Sequence, residues 1–299
     1  ALNGHDVIVL ALPHGASGAL AARLDPESVV VDLGADHRLE ERSAWDEYYG
    51  GDFYEHWTYG MPELITGRHA DGTYSRQREA LPGTKRIAGP GCNVTATTLA
   101  LQPGVAEGLV DPKDIVVDLV VGYSGAGKNL KRTNLLAAEA FGSAAPYSVG
   151  GTHRHIPEVL QNFAHAAGLG ASEASRFTLG FTPVLAPMAR GILASVSARL
   201  SDRALAMSDD EIRAVWTRAY AGEDFMVMLP TGVMPATANV IGSNAAHLQV
   251  AVDRKAGRLL AFAAIDNLNR GTAGQAVQSL NIALGLPEDA GLTKIGVAP

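Results

Sequence analysis

The chain has 299 residues, 47% of them hydrophobic and 33 of them glycine, which describes a globular protein large enough to divide its core between two domains. Against 31 aspartates and glutamates stand 24 lysines and arginines, a net charge of -7 that offers no broad basic face to nucleic acid; the cluster Lys128, Lys131 and Arg132 is too small to reverse this. One cysteine excludes an internal disulfide and a CxxC metal site, and no apolar run approaches the roughly 20 residues of a membrane span. The expectation is a soluble, cytoplasmic protein acting on small molecules, with no nucleic-acid or membrane partner.

In chain order, the run from Asp6 to Leu12 reads as a buried strand that runs into Pro13-His14-Gly15. A short helix follows from Ser17 to Arg23, then a second apolar run from Val29 to Gly34, and a third, Arg86 to Ala88, that delivers the chain to Gly89-Pro90-Gly91-Cys92. Strand, helix and strand with continuous apolar strands describe a βαβ unit on a parallel sheet. Ligands bind beyond the carboxyl ends of such strands, so the three loops are candidates for one site. Residues 93–109 then fit a helix, Ile115 to Gly122 a strand, and Arg132 to Phe141 a helix, before an irregular stretch reaches "GGTHRHIPEV" at 150–159. Strands are expected at Phe177 to Pro183, Gly191 to Leu200, His247 to Val252 and Arg258 to Ile265, the last two joined by a charged turn containing Gly257. Ser208 and Glu211 form a capping box for a helix whose Ile212, Val215, Trp216, Ala219 and Tyr220 repeat at helical spacing, and that Trp and Tyr read as core residues. A helix from about Asn267 to Leu284 closes the chain. The fold class is α/β, a parallel-sheet domain plus an α+β domain on a mixed or antiparallel sheet.

Cys92 carries the sharpest question. By base rate a lone cysteine is a small buried hydrophobe. Gly-Pro-Gly, however, turns the chain sharply at a strand's end, and the helix-compatible run that follows places Cys92 in or just before a first helical turn. There, free amides and the helix dipole favour the nucleophilic thiolate. Asn93-Val94-Thr95 also fits the glycosylation pattern, which a cytosolic setting makes incidental. A nucleophilic cysteine requires a base, and His153-Arg154-His155-Ile156-Pro157-Glu158 offers two imidazoles around a cation, with an arginine able to fix a phosphate or carboxylate. The same residues also fit a solvated polar loop, or three ligands of a metal; Pro157 argues against a regular helical metal face, no fourth ligand suggests itself, and no metal is expected. Gly122 to Lys128 satisfies GxxxxGK after a strand, but Asn129 replaces the hydroxyl that would bind magnesium, so an NTPase is disfavoured while a Gly-rich ligand loop is not.

Eight motifs then stand in register: ALPHG at 11–15, VDLGADHRL at 31–39, YGMPEL at 59–64, GPGCNVTAT at 89–97, GYSGAGK at 122–128, HRHIPE at 153–158, RGIL at 190–193 and AIDNLNRGTAGQAVQSLN at 264–281. Together they resemble the N-acetyl-gamma-glutamyl-phosphate reductase family, within the aspartate-semialdehyde dehydrogenase superfamily. The resemblance implies a Rossmann-type domain over 1–92, an α+β catalytic and dimerisation domain over 93–266, and a C-terminal segment, 267–299, whose helix returns to the first domain. It implies NADP as cofactor, an acyl phosphate as substrate and a homodimer or homotetramer. Cys92 matches the nucleophile and His153 the base. Arg38, Arg154, His155, Glu158 and Arg190 are substrate-side candidates; Pro13, His14, Gly15, Ser124, Gly125, Ala126, Gly127 and Asn267 match cofactor-side positions. The family's GxxGYxG turn is not among these residues, which implies that about 70 to 80 residues of an incomplete Rossmann domain are missing and that a chain beginning at Ala1 binds NADPH weakly. Asn93 departs toward the sister enzymes that reduce carrier-protein-linked aminoadipyl phosphate, and Asn269-Arg270 stands where Val-Lys is commoner. A cysteine hydrolase or acyltransferase, or a folded remnant with an unreactive thiol, are the readings from other classes.

Overall fold

The computed structural model describes residues 2–127 and 142–297, so the helix expected from Arg132 to Phe141, the basic cluster and Lys128 of the Gly-rich motif lie outside the described residues. The N-terminal part builds β1 (Val7–Leu10), α1 (Ser17–Ala21), β2 (Val29–Asp32), α2 (Arg42–Tyr48), β3 (Thr58–Tyr59), the small hairpin β4 (Ile65–Arg68) and β5 (Tyr74–Arg76), and β6 (Arg86–Ala88). The strands β1, β2, β6 and β3 form a four-stranded, wholly parallel sheet in that order. Every residue of β2 is buried, which is why Val29, Val30 and Val31 read as a continuous apolar run rather than an alternation. Four elements have no counterpart in the sequence reading: β3, β4 and β5 are too short to carry a period, and α2 buries only Trp45.

The second part starts with α3 (Cys92–Ala106), runs through β7 (Val110–Gly122) and β8 (Ala145–Pro146), and enters α4 (Ile156–Ala166) directly from the histidine motif. That motif was read as part of an irregular stretch, but Pro157 falls in the first helical turn, where its missing N–H costs nothing. Then come β9 (Leu179–Ala186), β10 (Ile192–Leu200), α5 (Asp202–Leu205), α6 (Asp209–Ala219), β11 (Met226–Met228), β12 (Ala246–Asp253) and β13 (Arg258–Ile265). Their seven-stranded sheet has the order β11-β12-β13-β10-β7-β9-β8; the β11/β12 and β7/β9 pairs are parallel and the rest antiparallel, so it is mixed. Strand alternation sets its two faces. Ile115, Val117, Leu119 and Val121 of β7 point into the main core, against Val94, Leu99 and Leu101 of α3 and Val159 and Phe163 of α4. Ser208 caps α6 through the Glu211 amide, Glu211 returns the bond, and Trp216 is fully buried with its Nε1 donating to the Ala100 carbonyl at 2.8 Å. The opposite face has no helix on it among the described elements: Val116 and Val120 are exposed, and Val120 is flanked in register by Leu193 and Val184.

The closing helix is shorter than its pattern suggests. Residues Asn269–Ala273 form a π-helical turn, and α7 (Gly274–Ala283) follows. Ala276 and Ala283 of α7 pack with Val29, Val31 and Ile87, so the last helix lies on the parallel sheet. Arg270 is wholly buried and ion-paired with Glu63, whose carboxylate also accepts from the Gln278 amide at 2.7 Å. A buried pair of this kind is tolerated because both charges are hydrogen-bonded, and it ties the C-terminal segment to the loop after β3.

Candidate active site

The turn that presents Cys92 is anchored from below. Cys92 is the first residue of α3, and Gly91 precedes it in extended conformation as a cap without a side chain. The Gly91 N–H donates to Glu158 Oε1 at 3.0 Å. That carboxylate is almost fully buried; it also accepts from the Tyr59 hydroxyl at 2.7 Å and meets Arg38 Nη1 at 3.4 Å. Glycine is required twice here. A Cβ at position 91 would come within 2.5 Å of His155 Nε2, and one at 271 within 2.7 Å of Cys92 Cβ, so the His155 ring lies against the turn that presents Cys92 and the π-helical turn presses on the cysteine itself. The electrostatics correct one expectation. Burial pushes the Cys92 thiol up to about 11, outweighing the Asn93 amide and the Arg38 charge that pull it down. A helix N-terminus does not ionise this thiol in the ligand-free protein, because a desolvated anion costs more than one amide and a distant guanidinium return.

Above the turn opens a cleft of about 980 Å³ whose polar lining includes His14, Asn93, Thr152, His153, Arg154 and His155. Its apolar lining comes from Leu12 and Pro13 after β1 and from Gly125 and Ala126 after β7. His153 is buried, its ring centroid 4.8 Å from that of His155, and its Nδ1 accepts the His155 backbone N–H at 3.1 Å. Burial first, then His153, Arg38 and His14, hold the His155 imidazole well below its ordinary range. His14 has an exposed edge, yet its partial enclosure, followed by Arg38 and Arg154, lowers it to about 4. The cleft therefore carries a positive potential that an entering anion relieves. Asn93 Oδ1 and His155 Nδ1 are buried and have no hydrogen-bond partner among the described residues, as expected where a ligand completes the set.

The remaining expected residues fall into two groups. Arg38 lies beneath the turn rather than in the open cleft, donating to the Leu33 carbonyl at 2.8 Å as well as pairing with Glu158. Ser124, Gly125 and Ala126 form a 3-10 turn closed by Gly127 at φ +79°, with Gly125 and Ala126 reaching the cleft. Asn267 is committed internally: its Oδ1 accepts the Gly191 N–H at 2.7 Å and its Nδ2 donates to Ser124 Oγ at 3.0 Å. Arg190 pairs with buried Asp266 at 2.7 Å and does not line the cleft. The Gly15 amide is also committed. With the amides of Ser17 and Gly18 it donates to the Asp36 carboxylate at 2.7 to 3.0 Å, so this turn carries its own anion. Sequence reading missed Asp36, although a carboxylate four residues after a βαβ strand is the available signal, and it missed Tyr49 and Tyr59, which carry none. Among the described residues no cluster of three or more His, Cys, Asp or Glu could hold a metal ion.

A parallel sheet whose strand end presents a cysteine, a mixed sheet beside it and a closing helix that returns to the first sheet define the semialdehyde dehydrogenase class. The chain matches the profile described as semialdehyde dehydrogenase, NAD binding domain, over residues 1–71 and that described as semialdehyde dehydrogenase, dimerisation domain, over residues 92–267. Solved aspartate semialdehyde dehydrogenases share the fold. The Vibrio cholerae enzyme II complexed with ASA superposes with a TM-score of 0.62 at 16% identity, over 92% of this chain and 78% of its own. A probable Pseudomonas aeruginosa enzyme does so with a TM-score of 0.61 at 17%, over 94% and 80%. Among relatives, the N-acetyl-gamma-glutamyl-phosphate reductase of Bifidobacterium longum strain DJO10A is 83% identical over 298 residues, 100% of this chain and 82% of the relative. That of Leifsonia xyli is 53% identical over 100% of this chain and 81% of its own. The chain belongs to the N-acetyl-gamma-glutamyl-phosphate reductase family, an oxidoreductase family with a nicotinamide-binding domain.

Proposed function

We propose that the protein reduces N-acetyl-gamma-glutamyl phosphate to N-acetylglutamate semialdehyde with NADPH, in the cytoplasm, as a step of arginine biosynthesis. The relatives' names favour the glutamyl over the aminoadipyl substrate. One observation carries the reading: the only cysteine heads a helix at the end of a parallel strand, against a histidine pair, at the foot of a positively polarised cleft. On this reading the His153–His155 pair takes the Cys92 proton; His153 is the base expected from the sequence, and His155 is the ring packed against the turn. The sulfur attacks the acyl carbonyl carbon, the bond from that carbon to the phosphate oxygen breaks, and phosphate leaves with the electron pair, so that an acyl thioester remains on Cys92. Arg154 at the cleft and Arg38 beneath the turn lower the cost of both the thiolate and the departing phosphate. Glu158 holds the Gly91 amide and thereby the sulfur's position.

Leu12, Pro13, Gly125 and Ala126 line the cleft, and Gly125 packs so closely on buried Val121 that a Cβ there would come within 2.6 Å of it, which fixes this part of the wall. NADPH, when bound, supplies the hydride that converts the thioester into the semialdehyde. Pro13, His14, Gly15, Ser124, Gly125, Ala126, Gly127 and Asn267 border its nicotinamide end; the amides of Gly15, Ser17 and Gly18 do not hold its phosphates, since Asp36 already occupies them. We place the domain divisions at 1–92, 93–266 and 267–299, and the open face around Val116 and Val120 at a homodimer interface, which the dimerisation-domain match supports.

The test is mass spectrometry of the protein mixed with the acyl phosphate without nucleotide. An acyl adduct on Cys92, absent in Cys92→Ser, is expected; a folded protein that forms none overturns the mechanism.

A further inference from the structure

The segment between β2 and β3 places a side chain, Tyr49, against two residues that line the cleft. Trp45 is buried and stacks on Tyr49, centroids 4.6 Å apart and planes 8° apart, which fixes the tyrosine ring. α2 stops there: the amides of Tyr49 and Gly50 both donate to the Trp45 carbonyl, and Gly50 and Gly51 take φ of +71° and +80°. Tyr49 then meets two groups that line the cleft. Its hydroxyl donates to the Arg154 carbonyl at 3.1 Å, and the Arg154 guanidinium lies over its ring at 5.3 Å. On the same ring His14 packs edge-on, at 5.7 Å and 84°. Arg154 comes from the loop before α4 and His14 from the loop after β1, so one ring holds together residues 140 positions apart (154 against 14). Among the described residues Arg154 has no carboxylate within ion-pair distance, although its charge stands at the cleft wall. A guanidinium without a carboxylate, beside an imidazole, matches the planar donor set that phosphate recognition uses.

We propose that Tyr49 is a positioning residue that holds Arg154 and His14 as an anion subsite for the substrate's phosphoryl group. This rests on the acyl-phosphate reading above. The same phosphate chemistry occurs in the nicotinamide dinucleotide, so the test separates the two sources. Alkylation of Cys92 by iodoacetamide at pH 9 is followed by mass spectrometry in the full chain, with inorganic phosphate or NADP+ as protectant. Tyr49→Leu is expected to raise the half-protecting phosphate concentration about fivefold and Tyr49→Phe, which keeps the platform, about twofold, the scale of an exposed cation–π contact and of one hydrogen bond. Half-protection by NADP+ should stay within twofold, a smaller shift than the fivefold for phosphate in Tyr49→Leu, because of the two residues that Tyr49 holds only His14 also borders the cofactor side. An unchanged phosphate response in Tyr49→Leu overturns the subsite, as does an NADP+ response that shifts equally, or a wild-type chain that phosphate does not protect. Should Tyr49→Leu fail to fold, Tyr49→Phe alone decides, an unchanged phosphate response again overturning the proposal. An acyl adduct on Cys92 with no Tyr49 effect sinks this inference only. Phosphate protection weakened by the Tyr49 substitutions, without any adduct, supports the subsite and sinks the thioester mechanism only.

Discussion

The two sheets of this molecule are built on opposite economies. The mixed sheet has strands of eight to thirteen residues in β7, β9, β10, β12 and β13 and one continuous apolar core under them. The parallel sheet has strands of two to four residues, and its apolar residues fall into several small clusters. Buried carboxylates hold its loops instead. Asp36 collects the amides of Gly15, Ser17 and Gly18, and Asp32 accepts from Ser17 Oγ and the Gly34 amide at 2.7 and 2.8 Å. Cys92 stands at the seam, on a turn from the parallel sheet clamped by Glu158 from a helix of the other part. The difference teaches that apolar burial supplies global stability on one side, while on the other a few polar groups decide local loop geometry, and the Cys92 sulfur depends on both.

Four measurements can break or sharpen that contrast. The largest effect belongs to the seam: with its thiol pushed up to about 11, ligand-free Cys92 should alkylate slowly at pH 7 and gain about tenfold per pH unit until near that value, some four orders of magnitude in all. A rate already flat above pH 8 would show that the two parts do not enclose the sulfur as described. Next comes Trp216→Ala in the main core, expected to cost about 3–5 kcal/mol and to lower the melting temperature of the whole chain. Asp36→Ala, by contrast, leaves three amides unpaired, those of Ser17 and Gly18 buried, and should cost about 2–4 kcal/mol, read as faster hydrogen exchange at Gly15, Ser17 and Gly18 with main-core amides still protected. Global unfolding in both variants would erase the distinction. The smallest effect is a pH slope. His155 is held well below its ordinary 6.5, so the unfolded chain binds a proton near pH 6 that the folded ring refuses. Its contribution to stability is present above 6.5 and is lost as pH falls, by at most about 1.4 kcal/mol per unit. His155→Gln should reduce that slope in acid denaturation curves, leaving the part that comes from His14, itself lowered to about 4; an unchanged slope would refute the assignment.

Much of this was legible in the residues because regular elements announce themselves by period. The capping box of Ser208 and Glu211 appears as read, and the strands at Gly191 to Leu200 and Arg258 to Ile265 form within a residue of their expected ends. The closing helix was read too long because its first turn is π-helical, a register change with no signature in hydrophobic spacing. α4 has no counterpart in the sequence reading, where Pro157 only argues against a regular helical metal face, whereas it is a first-turn residue; α2 has none because a single buried tryptophan makes no pattern.

What the sequence alone determined was chemistry and order: one cysteine after Gly-Pro-Gly, a histidine pair, two sheets of different pairing, and a family resemblance that the relatives carry at 50–83% identity. Only the tertiary structure decided charge state and commitment. Whether an amide, a carboxylate or a thiol is free depends on neighbours distant in the chain: Asp36 occupying the turn at Gly15, Glu158 reaching Gly91, Asn267 spent on Gly191 and Ser124. Desolvation in turn depends on what encloses a group in three dimensions, so the helix N-terminus that a linear reading credits with ionising Cys92 is overruled by the burial of the same sulfur.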